Sequence, residues 1–215
     1  MSLKYDHIIW DWNGTLLDDV GLCLEIINGV LGSVELPPLT LDKYREIFTF
    51  PVRDYYEAAG IDFSVHSFEK LGWDWMNEYE RRKYEASLFG DVRPVLAYLR
   101  EHGIKSSILS AYTLHGLLNI VEKNGVKENF EYISGLDNIW AASKLENGKM
   151  LVEKIRTDHE KILMVGDTLH DHEVADEIGV DSILIASGHQ SYERLKSAGV
   201  PVFHSLNEFF RLELD

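Results

Sequence analysis

At 215 residues the chain can bury one substantial core, or one core with a smaller accessory domain. Its 45% hydrophobic and 27% charged residues are the mix of a soluble globular protein, and a net charge of −15 works against nucleic acid and anionic membranes as partners. No apolar run has the length of a membrane span, no basic-then-apolar leader precedes Tyr5, and the single cysteine, Cys23, precludes an internal disulfide. A reducing, cytoplasmic setting is the expectation, with Cys23 a small core hydrophobe.

The chain opens on His7-Ile8-Ile9-Trp10-Asp11-Trp12-Asn13-Gly14-Thr15, an apolar run that ends in a carboxylate and then turns through a glycine. This pattern predicts a buried strand with Asp11 at its C-terminal end. Apolar residues at helical spacing follow from Asp19 to Leu31, stopped by Pro37-Pro38, and helical patterns recur at 41–48, 51–59 and 65–87. Nothing from 18 to 88 reads as a strand, so the stretch is an all-helical insert. The aromatic stripe Trp73, Trp75, Met76 and Tyr79 is read as its core, and Arg53 as a solvated arginine.

The rhythm changes beyond Asp91. A helix is expected over Val92–His102, a strand over Ile104–Leu109, a helix over Leu114–Asn124 and a short strand at Tyr132–Ser134. A helix around Met150–Arg156 then leads to the apolar strand Lys161–Val165. Asp171–Ile178 reads as helix, Ser182–Ala186 as strand, Tyr192–Ala198 as helix and Val200–Phe203 as strand, before a terminal helix. Strict alternation predicts an α/β fold with a doubly wound parallel sheet, Rossmann-like, interrupted by the helical insert. The expected division is 1–17 with 89–215 for the α/β core and 18–88 for the insert.

Three strands end in polar chemistry, at Asp11, at Ser110, and at Gly166-Asp167-Thr168 with Asp171 four residues on. In a parallel sheet these ends share one edge and converge on one crevice. Lys144, read as lying in a loop, joins them. Two carboxylates, a hydroxyl and an ammonium around one point suit magnesium-assisted phosphoryl transfer. In so acidic a chain a phosphate site needs local positive charge from a metal or a placed lysine. Ser106 and Ser107 compete with Ser110, which is preferred for its place at the strand end. Lys149 competes with Lys144, which is preferred for its loop position. His170 and His172 flank Asp171 and read as surface or supporting residues, since magnesium prefers oxygen. His189 follows the next strand, near the same rim.

These four segments together resemble the haloacid dehalogenase superfamily of aspartate-nucleophile phosphatases, in its phosphoglycolate phosphatase-like group. The motifs are Asp11-Trp12-Asn13-Gly14-Thr15, then Ser110, then Lys144, then Gly166-Asp167-Thr168-Leu169-His170-Asp171, and the insert resembles the superfamily's helical cap between motifs one and two. The resemblance implies that Asp11 attacks phosphorus and that Mg²⁺ is held by Asp11, Asp167 and the backbone carbonyl of Asn13. It also implies phosphate contacts from Ser110 and the amide of Ala111 and from the Gly14-Thr15 turn, neutralisation by Lys144, and support of the metal site by Asp171. The implied partner is a small phosphoester substrate. One position departs from the pattern. Asn13 stands where the family usually has the acid–base aspartate, and an amide exchanges no proton at neutral pH, a loss of about 10²–10⁴-fold. The expected activity is therefore an attenuated phosphatase. The alternatives are a weakly catalytic ligand-binding or regulatory protein, or phosphoryl transfer to another acceptor, including mutase chemistry.

Overall fold

The computed structural model describes residues 4–136, 144–156 and 161–214. Strand β1 (His7–Trp10) is fully buried, and its side chains divide between two faces of a sheet. Ile8 and Trp10 join one apolar cluster and Ile9 the other. That division is what a central parallel strand demands, because both faces must be covered.

The connection out of β1 passes through the two-residue strand β2 (Leu17–Asp18) into α1 (Val20–Ser33), α2 (Leu41–Ile47), α3 (Val52–Ala58) and α4 (Phe68–Arg82). It returns through β3 (Ser87–Leu88), which pairs antiparallel with β2, Leu17 opposite Leu88. The expectation of no strand between 18 and 88 is corrected at these two margins, where the outgoing and incoming chains zip together. Thr40 and Ser67 cap α2 and α4 by accepting from the amides of Lys43 and Lys70.

The remaining elements alternate as expected: α5 (Val92–Glu101), β4 (Lys105–Thr113), α6 (Leu114–Lys123), β5 (Tyr132–Leu136), α7 (Lys144–Ile155), β6 (Ile162–Gly166), α8 (Leu169–Ile178), β7 (Asp181–Ile185), α9 (Tyr192–Leu195), β8 (Val202–Phe203) and α10 (Leu206–Leu214). The sheet has six parallel strands in the order β5-β4-β1-β6-β7-β8. Its order reverses around β1, which is where open α/β sheets place their ligands. Helices α5, α6 and α10 share the apolar cluster of Ile8 and Trp10; α7 and α8 join that of Ile9 through Leu151, Val152, Ile155, Val174 and Ile178.

Two element boundaries differ from expectation in ways that matter for the site. β4 runs to Thr113 rather than Leu109, with a register shift against β5 between Leu109 and Thr113. Ser110 therefore sits inside an irregular strand, not at its end. Lys144 lies on the first turn of α7 rather than in a loop. Asn147 and Gly148 are helical too: Gly148 is buried where an added Cβ would lie 3.1 Å from Leu109, and Asn147 Nδ2 donates to the Gly135 carbonyl at 2.8 Å.

Candidate active site

Register brings the first and last motifs together. Trp10 stands opposite Val165, and the Asp11 amide donates to the Val165 carbonyl at 2.9 Å, so Asp11 and Asp167 emerge side by side at the strand edge. Asp171, on the first turn of α8, turns back beneath them. Its Oδ2 accepts from the Thr168 amide at 2.9 Å, the Thr168 hydroxyl at 2.7 Å and the Asp167 amide at 3.2 Å, a reciprocal cap of its own helix. Lys144 Nζ donates to Asp171 Oδ1 at 2.5 Å and to Asp11 Oδ1. Among the described residues, oxygens of Asp11, Asp167 and Asp171 all lie within 4.8 Å of one another.

Glycines make this crowding possible. Gly14 has φ +74°, and a Cβ there would lie 2.4 Å from Asp167 Oδ2; one at Gly188 would lie 2.1 Å from the same atom. Gly188→Ala is therefore expected to destabilise the fold by about 1–3 kcal/mol, since the displaced carboxylate is held and cannot swing aside. Urea unfolding measures it, and an unchanged midpoint would show that the loop yields freely.

Asp167 is fixed from two sides, by the Thr15 hydroxyl at 2.9 Å and the His189 amide at 2.6 Å. Thr15 thus meets a carboxylate rather than the open cavity. Ser106 and Ser107 are occupied elsewhere: Trp10 Nε1 donates to Ser106 Oγ at 3.2 Å, and Ser107 Oγ pairs with His7 Nε2 at 2.8 Å. Ser110 and Ala111 line the cavity, and the Ser110 hydroxyl accepts from the Tyr112 amide at 3.1 Å. Lys149 is exposed and pairs with Glu146 at 3.1 Å, so Lys144 is the lysine of the site. The expected loop position of Lys144 is corrected, since it stands on the first turn of α7.

A second cluster adjoins the first. Asp19, wholly buried, is the N-cap of α1, yet its side chain caps nothing there. Its oxygens instead accept from the Gly14 amide at 3.0 Å, Asn13 Nδ2 at 2.7 Å and the Tyr79 hydroxyl at 2.7 Å, with His189 Nε2 at 3.4 Å. Asn13 Nδ2 also donates to the Tyr79 oxygen at 2.6 Å. His189 Nδ1 lies 2.8 Å from the Tyr44 hydroxyl, and Arg45 donates to the carbonyls of Ser187 and Gly188 at 2.8 and 2.9 Å, holding this loop against α2. Asp19 as a site residue was not expected; an acid at the start of a helix reads simply as a cap. His172 Nδ1 pairs with the Ser182 hydroxyl at 2.9 Å.

The electrostatics follow from burial. Burial pushes the Asp11 carboxyl up, with Lys144 pulling it back, and burial likewise raises Asp167 against the pull of His189. Burial works against Asp171 and Asp19 too, but Lys144 with Thr168 in one case, and His189 with Asn13 and Tyr79 in the other, together hold them below the ordinary carboxylate range. Burial alone would lower His189; the Asp19 carboxylate raises it to about 9. Three carboxylates meeting one ammonium leave negative charge that a divalent cation would balance, and an all-oxygen set suits a hard one. The residues present thus fit magnesium, with Asp11 and Asp167 as the side chains nearest to hold it.

Above the carboxylates opens a cavity of about 310 Å³. Trp73, Trp75, Met76 and Tyr79, expected as core of the insert, line it, while Arg53 is indeed a surface residue paired with Glu57 at 3.3 Å. No helix among the described residues is long and apolar enough to cross a membrane.

The chain is 25% identical over 184 residues to tyrosine-protein kinase PtkA of Mycobacterium tuberculosis, covering 85% of this chain and 62% of that protein, so it spans less than two thirds of that relative. It is 25% identical over 190 residues to phosphoglycolate phosphatase of Rhodobacter capsulatus, covering 85% of each. The solved structure of PtkA superposes with a TM-score of 0.82 at 22% identity, covering 97% of this chain and 98% of that one. A haloacid dehalogenase-like hydrolase from Streptococcus pneumoniae superposes with a TM-score of 0.78 at 17% identity, covering 96% and 97%. The sequence profile described as haloacid dehalogenase-like hydrolase matches residues 8–185, and the chain belongs to that family.

Proposed function

We propose that the chain is a magnesium-dependent phosphatase of small phosphorylated molecules, working through an aspartyl phosphate on Asp11 and slowed by Asn13. The observation that carries this reading is the convergence of Asp11, Asp167, Asp171 and Lys144 on one strand edge beneath a cavity. Residues 18–88 serve as a cap over that edge, a division supported by the pairing of β2 with β3 at its margins.

In this mechanism Asp11 attacks phosphorus through a carboxylate oxygen, and the bond from phosphorus to the ester oxygen breaks. Lys144, anchored by Asp171, holds positive charge beside the nucleophile and the incoming phosphoryl oxygens. Ser110 and the amide of Ala111 supply hydrogen bonds to the phosphate. Asp11, Asp167 and the Asn13 carbonyl would hold Mg²⁺, which when bound offsets phosphate charge and orients it for in-line attack. The aromatic cap excludes bulk water. Neither step receives a proton from Asn13, whose amide is committed to Asp19 and Tyr79.

Phosphate release from a panel of phosphomonoesters, followed with Mg²⁺ and after chelation, tests the reading. Release is expected to depend on Mg²⁺, and calorimetry should show Mg²⁺ binding that Asp167→Ala abolishes. Full activity in excess chelator would overturn the metal's role. The similarity to a protein named as a tyrosine kinase favours a second reading, transfer of the phosphoryl group to an acceptor other than water. Phosphorylated acceptor formed in place of free phosphate would establish it.

A further inference from the structure

We infer that the phosphoester this chain takes carries a flat, uncharged, apolar organic group, an aryl phosphomonoester being the simplest case, and carries no second anionic group; this rests on the phosphatase reading above. The cavity wall opposite the carboxylates is built from Phe50, Tyr56, Phe68, Trp73, Trp75 and Met76. From α3 and α4, Glu69 is the charged side chain that reaches the cavity among the described residues, and it is acidic. A substrate carboxylate or second phosphate would meet rings and a glutamate.

Positive charge for such a group is lacking where it would be needed. Among the described lining residues the basic side chains are Lys144, His170 and His189. Lys144 is engaged by Asp11 and Asp171, His189 lies 3.4 Å from Asp19, and His170 lies 3.4 Å from Glu173. Arg53 is outside the lining, paired with Glu57, its guanidinium 4.6 Å from the Phe63 ring centroid and 5.5 Å from that of Phe68. Residues 137–143 contain no lysine or arginine. An anion pressed against this wall would lose its hydration without a partner. An aromatic ring would stack on the wall, a gain of roughly two- to tenfold in affinity for each good ring pair. The cavity of about 310 Å³ is at the small end of ligand pockets, with room for a phosphate and a compact ring system.

The amide at position 13 points the same way. An alkyl ester leaves as a strongly basic alkoxide and needs a proton from the site. An aryl ester leaves as a phenolate, the base of an acid with a pKa of about 10. Asp11 forms the new bond to phosphorus, the bond to the ring oxygen breaks, and the electron pair departs on the phenolate, which takes its proton from bulk water. Water then cleaves the aspartyl phosphate, releasing inorganic phosphate and the Asp11 carboxylate. Ring recognition and leaving-group chemistry thus favour the same ester.

Two non-hydrolysable ligands separate recognition from turnover. With the full chain in Mg²⁺, calorimetry should show naphthylmethylphosphonate binding at least about tenfold more tightly than phosphonoacetate. Trp73→Ala should weaken the naphthyl ligand roughly two- to tenfold and narrow the ratio. Met76→Arg should shift preference toward phosphonoacetate. Equal or tighter binding of phosphonoacetate by the parent chain overturns the inference, and so does failure of both ligands to bind. Acetyl phosphate, which has no ring, reports on the chemistry alone. Its Mg²⁺-dependent hydrolysis beside a preference for phosphonoacetate would sink the substrate class and leave the phosphatase reading intact. A naphthyl preference with no phosphoester turned over would do the reverse.

Discussion

Asp11→Asn is expected to lower phosphoester turnover by roughly 10⁴-fold or more while leaving the chain folded. The amide has the shape of the carboxylate but cannot become an acyl phosphate. Stability should hold or rise slightly in metal-free buffer. Removing one member of a buried ion pair is costly when the other is left unpaired, but Lys144 keeps Asp171 at 2.5 Å. The substitution instead removes one of three crowded carboxylates, and one that burial pushes upward. Phosphate release and thermal unfolding, measured on the same preparation, separate the two effects. A variant that still turns over at the parent rate would place the nucleophile elsewhere, and one that unfolds would make Asp11 a structural residue.

The sheet and the strand-edge carboxylates were legible because they rest on local patterns. A short apolar run with a carboxylate at or just past its end has few other readings, and β1 and β6 each supply one. The loop expected around Lys144 is instead the first turn of α7, where helix propensity around Asn147-Gly148 is poor but Gly148 packs closely on Leu109. Ser110 sits in a strand rather than at its end because β4 shifts register and resumes pairing at Thr113, a tertiary feature with no sequence signature. The aromatic stripe of α4 was only half placed for a related reason, since Tyr79 is core with Trp75 and Met76 packed on that core, and all three also line the cavity. Helical spacing shows that Trp75, Met76 and Tyr79 share a face, but not whether that face meets other helices or a cavity. Asp19 was hidden by its own ordinariness. Its role becomes visible only once β1 and α4 bring Asn13 and Tyr79 to it from either side.

That buried contact decides what Asn13→Asp should do. A carboxylate in place of the amide would face Asp19 Oδ2 across 2.7 Å, with both groups accepting and neither donating. The single variant should therefore be destabilised, or should trap one proton between the two carboxyls. The double variant Asn13→Asp/Asp19→Asn exchanges the partners and keeps the hydrogen bond. Its amide oxygen at position 19 accepts from the Gly14 amide, its amide nitrogen donates to the new carboxylate, and the Tyr79 hydroxyl remains within reach. With a carboxyl restored beside the nucleophile, alkyl phosphates should turn over roughly 10²-fold faster than with the parent chain. Aryl phosphates, whose leaving groups need no proton, should gain less in the first step. With the parent chain they should show a burst followed by slow turnover, since the water that cleaves the aspartyl phosphate lacks a base; with the double variant the burst should vanish. Rapid-quench measurement of phosphate and phenol release distinguishes the two phases. If the double variant folds and binds Mg²⁺ but gains nothing on any ester, the proton comes from a group other than residue 13, and the Asn13–Asp19 contact serves to hold the turn around Gly14 rather than to set the rate.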